Sequence, residues 1–204
     1  MTKVKICGLM EMEHVKVAVE VGADAIGFVF APSKRRITVE KAKELAQSIP
    51  SSVLKVGIFV DESSEEIERT FHEVPLDYVQ YHGDEAPEFI KKIGLPSIKA
   101  LAIQRSEDVG SAKRFDVDYF LFDTPGKDYK GGSGERFDWR LVQDVTIPLD
   151  KRILAGGLNA DNVGEAIRQV KPYMVDVSSG VERNGEKDMQ LIRAFVRAVK
   201  DEER

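Results

Sequence analysis

A (β/α)8 TIM barrel of the α/β class is the fold this 204-residue chain predicts, on three observations. Apolar runs of about four to seven residues alternate with segments of helical period, eight times over. Most of these runs are nearly continuous in apolar residues, as parallel strands covered on both faces must be. Several end on polar or glycine residues, and strand ends are where parallel α/β folds gather reactive groups. An open doubly wound sheet would alternate in the same way. Such sheets often use fewer strands, however, and no Gly-x-Gly-x-x-Gly follows the first strand. The units average roughly 25 residues, below the usual ~250-residue total for a barrel. No linker, low-complexity segment or shift in composition interrupts them, so residues 1–204 are expected to form a single barrel domain.

The first expected strand, Val4–Cys7, ends on the only cysteine. Alternation puts Lys3, Lys5 and Cys7 on one face and Val4 and Ile6 on the other. The apolar pair should face the helices, which turns the lysines and the thiol into the barrel or its mouth. The remaining expected strands are Ala25–Phe30, Leu54–Val60, Tyr78–Tyr81, Ser97–Leu101, Tyr119–Phe122, Arg152–Ala155 and Met174–Val177. Between them the spacing predicts helices. His14–Val21 carries Val15, Val17, Ala18 and Val21. Thr38–Ser48 opens on Thr38 as N-cap and sets Val39, Ala42, Leu45 and Ala46 at helical spacing. Ser64–His72 follows, then shorter segments at Pro87–Ile93, Glu107–Phe115 and Trp139–Gln143. Asn162–Val170 and Asp188–Val199 complete the set, the last with Met189, Ile192, Phe195, Val196 and Val199 on one stripe.

The net charge of −5 arises from 35 acidic and 30 basic residues interspersed along the chain. Without a polybasic face, nucleic acid is not the expected ligand. No apolar run approaches the ~20 residues that cross a bilayer, and no signal-peptide pattern precedes the first strand. A cytoplasmic protein with a reduced thiol is expected. One cysteine builds neither an intrachain disulfide nor a multi-thiolate metal site, and no metal-ligand spacing is present.

The remaining uses of Cys7 are packing, the common fate of a free thiol, and chemistry. A thiol works as a base near neutral pH only with cations or dipoles beside it. Asp123 ends the sixth strand. Partial burial there would favour its protonated form, an acid, although an Asp opening an Asp-Thr-Pro turn is the plainer reading. Gly156-Gly157 and Ser178-Ser179-Gly180 follow strands seven and eight, the two loops that supply backbone N–H groups to a phosphate in many barrels. Pro32-Ser33-Lys34-Arg35-Arg36 follows strand two, where a guanidinium could hold a carboxylate bidentately. Asp176 shares the inward face of strand eight, beside strand one in a closed barrel, and is expected to pair with Lys5. The glycine-rich string Lys130-Gly131-Gly132-Ser133-Gly134, with Tyr129, is a lid candidate. His14 and His72 are expected at the surface; His82 is expected to line the mouth and is given no catalytic role.

These segments together resemble the phosphoribosylanthranilate isomerases of tryptophan biosynthesis. The resemblance is carried by Lys5-Ile6-Cys7-Gly8-Leu9, Gly22-Ala23-Asp24-Ala25-Ile26-Gly27-Phe28-Val29-Phe30, Ser33-Lys34-Arg35 and Val79-Gln80-Tyr81-His82-Gly83. Leu121-Phe122-Asp123-Thr124, Gly131–Gly134 with Phe137-Asp138-Trp139, Gly156-Gly157-Leu158 and Val175–Glu182 continue it in the family's order. Tyr81 stands where the family often has Leu.

The resemblance implies an Amadori rearrangement of N-(5-phosphoribosyl)anthranilate to 1-(2-carboxyphenylamino)-1-deoxyribulose 5-phosphate by general acid–base catalysis. It implies Asp123 as the acid that opens the furanose, Cys7 as the base at C2, and Arg35, by its spacing from Ser33, rather than Arg36 on the anthranilate carboxylate. Gly156, Gly157, Ser179 and Gly180 would hold the phosphate, with Asp176 and Ser178 counted among the substrate-binding residues. No cofactor is expected, because the aryl amine becomes the electron sink. The expected partner is a small phosphorylated substrate, with neither nucleic acid nor membrane, for a monomer or homodimer. Three rivals stand beside this reading. One is a Schiff-base aldolase using Lys99. Another is a sugar-phosphate isomerase of histidine biosynthesis, which would carry Asp at position 7. The third is a sensor that binds a phosphorylated metabolite without turning it over.

Overall fold

The computed structural model describes residues 1–125, 137–143 and 146–202. Eight parallel strands close into a barrel in chain order. They are β1 (Lys3–Cys7), β2 (Ala25–Val29), β3 (Leu54–Phe59), β4 (Tyr78–Tyr81), β5 (Ser97–Ala102), β6 (Tyr119–Asp123), β7 (Arg152–Leu154) and β8 (Met174–Val177). Each expected strand is present, with β2, β3 and β7 one residue shorter at the C-terminal end and β5 and β6 one longer. The helices are α1 (Met12–Val21), α2 (Val39–Ala46), α3 (Ser64–Glu73), α4 (Pro87–Ile93), α5 (Ser106–Gly110), α6 (Val163–Val170) and α7 (Met189–Asp201). Thr38 caps α2 by accepting from the Lys41 N–H, and Asp188 caps α7 through the N–H groups of Gln190 and Leu191.

Three expectations need correction. The single helix expected over Glu107–Phe115 is α5 followed by a 3-10 turn, Ser111–Arg114, and the segment at Trp139 is a 3-10 turn over Trp139–Val142. After β8 comes an unexpected antiparallel ribbon, β9 (Glu182–Arg183) and β10 (Glu186–Lys187). Asn184 and Gly185 join its strands, both at positive φ (55° and 85°), the backbone that a two-residue hairpin of this hand requires.

Strand alternation separates two apolar layers. Cys7, Ala25, Val56, Ile58, Ile98, Ala100, Leu121, Ile153 and Met174 fill the barrel interior. Val4, Ile6, Phe28, Val79, Leu101, Phe122 and Val175 pack outward against the helices. At the floor, the rings of Tyr119 and Tyr173 stack at 5.2 Å and Tyr78 meets Tyr119 edge-on at 5.6 Å. The strands are also pinned from below in pairs. Asp24, Asp77 and Asp118 stand just before β2, β4 and β6, and each carboxylate accepts from a backbone N–H opening the preceding strand: Val4, Lys55 and Ser97, at 2.9, 2.7 and 2.8 Å. With the floor filled, the C-terminal mouth is where a ligand can enter.

Candidate active site

Barrel closure brings the two candidate reactive groups onto one rim. Cys7 ends β1 and Asp123 ends β6, with β7 and β8 between them around the ring. Both are largely buried, at 8% and 7% exposure. The Cys7 sulfur packs over the α-carbon of Gly27 on β2, where a Cβ would stand 2.9 Å away. Asp123 accepts its own neighbour's N–H, from Thr124, at Oδ1 (2.8 Å), and its Oδ2 lies 3.4 Å from His82 Nε2. A hydrogen bond between the Gln80 side-chain amide and His82 Nδ1 (2.9 Å) orients the ring with its Nε2 toward Asp123. His82 thus belongs to the site, although its sequence position alone gave no reason to include it.

The expected pair inside the barrel is present. Lys5 and Asp176 are register partners on β1 and β8, with Nζ 3.0 Å from Oδ2. Burial draws the Lys5 pKa down, but the Asp176 carboxylate and the Cys7 thiol outweigh it and set Lys5 above its ordinary value. Among the described residues, Asp176 Oδ1 has no hydrogen-bond partner. Burial pushes the Cys7 thiol up; Lys5, Lys187 and Arg35 oppose that and Asp176 reinforces it. The thiol therefore sits above its ordinary value within a cationic surround that opposes the shift.

The loops after β7 and β8 touch each other. Gly180 packs directly on the Leu158 carbonyl, leaving no room there for a side chain. Ser179 and Gly180 open a 3-10 turn, Ser179–Val181, so their N–H groups have no partner within it. Gly156 lies at φ 83°, against Thr124 and Asp123, so a side chain would be strained and would drive into Thr124. Asn162 Nδ2 donates to the Gly157 carbonyl (2.9 Å) and steadies this loop. The Ser178 hydroxyl is already engaged, donating to the Cys7 carbonyl (3.3 Å) and accepting from Lys187 Nζ (3.2 Å).

In the loop after β2 the two arginines part company: Arg35 is buried and Arg36 exposed. The Arg35 stem lies across Gly8, whose φ of 77° and missing Cβ allow that approach. Its guanidinium meets Glu182 side-on, Nε to Oε1 at 2.5 Å and Nη2 to Oε2 at 3.1 Å. Glu182 also receives Lys187 Nζ at 2.9 Å and Lys34 Nζ at 3.2 Å. Burial would raise the Glu182 pKa, but Arg35 and Lys187 overcome it and hold the carboxyl at about 2, against an ordinary 4.5. The stabilisation this represents is complete above pH 4.5 and is lost as pH falls toward 2. Urea unfolding across that interval should show a decline of about 3 kcal/mol, which Glu182→Gln abolishes.

Glu182 and Lys187 were missed by the sequence reading, yet Asn184-Gly185 between them is a strong short-range hairpin signal that would have placed both on one ribbon. Lys99 does not reach the mouth. It turns outward from β5, with its Nζ bound by the carbonyls of Tyr81 and Gly83 and by Glu85 Oε2 (3.4, 2.7 and 2.8 Å). That removes the Schiff-base reading. His72 is exposed as expected, whereas His14 is half-buried. The lid candidate at 129–134 lies outside the described residues. No helix among the described residues is long and apolar enough to cross a membrane, and no group of His, Cys, Asp or Glu among them could hold a metal.

A closed parallel barrel with a thiol and a carboxyl group flanking two glycine-bearing loops defines a barrel suited to acid–base chemistry on a small anionic ligand. Residues 4–198 match the family model for N-(5'-phosphoribosyl)anthranilate isomerase, and the chain belongs to that family. It is 50% identical over 200 residues to the N-(5'-phosphoribosyl)anthranilate isomerase of Bacillus cereus strain Q1, covering 98% of both chains. Phosphoribosyl anthranilate isomerase from Thermotoga maritima superimposes with a TM-score of 0.88 at 40% identity, over 98% of this chain and 100% of that one. A phosphoribosyl anthranilate isomerase solved with reduced 1-(o-carboxyphenylamino)-1-deoxyribulose 5-phosphate does so at 0.84 and 39%, with the same coverage.

Proposed function

We propose that this chain isomerises N-(5-phosphoribosyl)anthranilate to 1-(2-carboxyphenylamino)-1-deoxyribulose 5-phosphate, the Amadori step of tryptophan biosynthesis, with Asp123 as acid and Cys7 as base. The observation that carries the assignment of roles is the rim order: carboxyl, two glycine-bearing loops, thiol. A phosphate on the N–H groups of Gly156, Gly157, Ser179 and Gly180 fixes one end of the ribose midway between the two reactive groups. Each then addresses a different part of the sugar without the substrate moving. Asp123 gives its proton to the furanose ring oxygen, and the C1–O bond breaks to leave an imine on the anthranilate nitrogen. The resulting carboxylate faces His82 Nε2. Cys7, as thiolate, takes the proton from C2, and the electron pair runs through C1 to the nitrogen. The enolamine so formed tautomerises to the ketone.

Arg35 holds the anthranilate carboxylate, and Asp176 contributes to the site through its buried pair with Lys5. The reaction calls on no cofactor. The chain works in the cytoplasm on a small phosphorylated substrate, without nucleic acid or membrane, as a monomer or homodimer. Since Arg35 binds rather than reacts, Arg35→Met should chiefly raise KM, about tenfold or more, and leave kcat within a few-fold. Initial rates against substrate concentration check that split.

Turnover of freshly generated substrate by the purified chain tests the whole reading. Anthranilate fluorescence should fall continuously until substrate is spent. A change that stops at one equivalent per chain would instead identify a binding protein.

A further inference from the structure

We propose that Glu182 and Lys187 form a clasp over the end of β1 that serves the reaction, Glu182 aiming the Arg35 guanidinium at the substrate carboxylate and Lys187 supplying positive charge that favours the thiolate of Cys7. The inference rests on the proposed roles of Arg35 and Cys7 and adds two positioning residues to them.

The clasp follows from the barrel order. β1 lies between β8 and β2, so the β9–β10 ribbon after β8 and the loop after β2 reach toward each other across the end of the strand that carries Cys7. Glu182 closes the gap, bonded on one side to Arg35 and on the other to Lys187. Its side chain and that of Lys187 are 5% and 3% exposed. Such a buried charge cluster is a costly way to join two loops when apolar contact would serve, which argues for a use beyond stability.

The geometry at Arg35 supplies one use. Glu182 takes the Nε–Nη2 edge of the guanidinium, and no described residue bonds to Nη1. The Nη1–Nη2 edge stays open, and a planar fork held on one edge presents the other in a fixed direction, suited to bidentate capture of a second carboxylate. At Lys187 the ammonium is tied by the Ser178 carbonyl (2.8 Å), the Ser178 hydroxyl and Glu182. Ser178 is in turn bonded to the Cys7 carbonyl. The charged groups gathered around the end of β1 are Lys5 and Asp176 from β1 and β8, Lys187 from β10 and Arg35 from the β2 loop, and each acts electrostatically on the Cys7 thiol. Lys5 is matched by Asp176, whereas Arg35 and Lys187 share the one carboxylate of Glu182, so the clasp carries net positive charge at the end of β1 and Lys187 is its contribution on the β8 side.

The chain has a single cysteine, so the ultraviolet absorbance of its thiolate, with Cys7→Ser as the blank, reads Cys7 alone and needs no substrate. Lys187→Met should move the thiol titration up by about one pH unit or more. The rising limb of the kcat profile should move with it, at a KM within about twofold of the original, and Lys187→Arg should restore both. Should Lys187→Met fail to fold, Lys187→Gln removes the same charge while keeping a hydrogen bond to Ser178. Glu182→Gln should raise KM about tenfold and leave the thiol titration less affected than Lys187→Met does. A merely structural clasp would lower the melting temperature of these variants but move neither the titration nor KM, and that result would overturn the proposal. Failure of the underlying reading looks different: Cys7→Ala would then turn over normally, whatever the Lys187 variants do.

Discussion

Asp123→Asn is expected to lower kcat by about 10²-fold or more, the usual scale for losing a positioned acid, while KM stays near its original value. The amide is isosteric and can still accept the Thr124 N–H that fixes the side chain at 2.8 Å, so the site keeps its shape. What it lacks is a proton for the ring oxygen. Without ring opening there is no imine, and C2 remains an ordinary sugar carbon whose proton no thiolate can remove. Steady-state rates with the variant measure the loss, and borohydride quenching shows where the reaction stops. No reduced open-chain sugar amine should be recovered from Asp123→Asn.

Cys7→Ser should cost a comparable factor, about 10²-fold or more in kcat, for a different reason. The hydroxyl fits where the thiol sat against Gly27, but an alcohol ionises far above any working pH and the same cations cannot make it a base. Ring opening by Asp123 still occurs, so the imine forms and waits. Borohydride added to this variant with substrate should therefore yield the reduced open-chain amine that Asp123→Asn does not. Recovery of the same species from both variants would remove the division of labour between the two residues.

The fold was legible because parallel strands sheathed on both faces write themselves as apolar runs. The register of β1 shows why the faces were legible too: Val4 and Ile6 join the outer layer and Cys7 the inner one, as a period of two demands. From that face followed the pairing of Lys5 with Asp176, because closing the ring makes β8 the neighbour of β1. What stayed hidden was whatever periodicity does not encode. The ribbon that carries Glu182 and Lys187 has strands of two residues, too short to show alternation, and only its Asn-Gly turn betrays it. His82 follows β4 with no pattern to aim it. Its part in the site depends on the loop held by Glu85, which accepts the Gly83 N–H and is itself bound to the buried Lys99. Charged residues such as these read as solvated surface until a fold gathers them.

One arrangement is central to the reaction: a pentose phosphate anchored by the β7 and β8 loops, with sulfur on one side of it and a carboxyl group on the other. The structure of this chain with reduced 1-(o-carboxyphenylamino)-1-deoxyribulose 5-phosphate measures that arrangement directly. The phosphate is expected on the N–H groups around Gly156, Gly157, Ser179 and Gly180, the Cys7 sulfur against C2, the Asp123 carboxyl against the former ring oxygen, and the aryl carboxylate on the free edge of Arg35. A phosphate bound elsewhere, or a sugar whose C2 faces neither Cys7 nor Asp123, would contradict it.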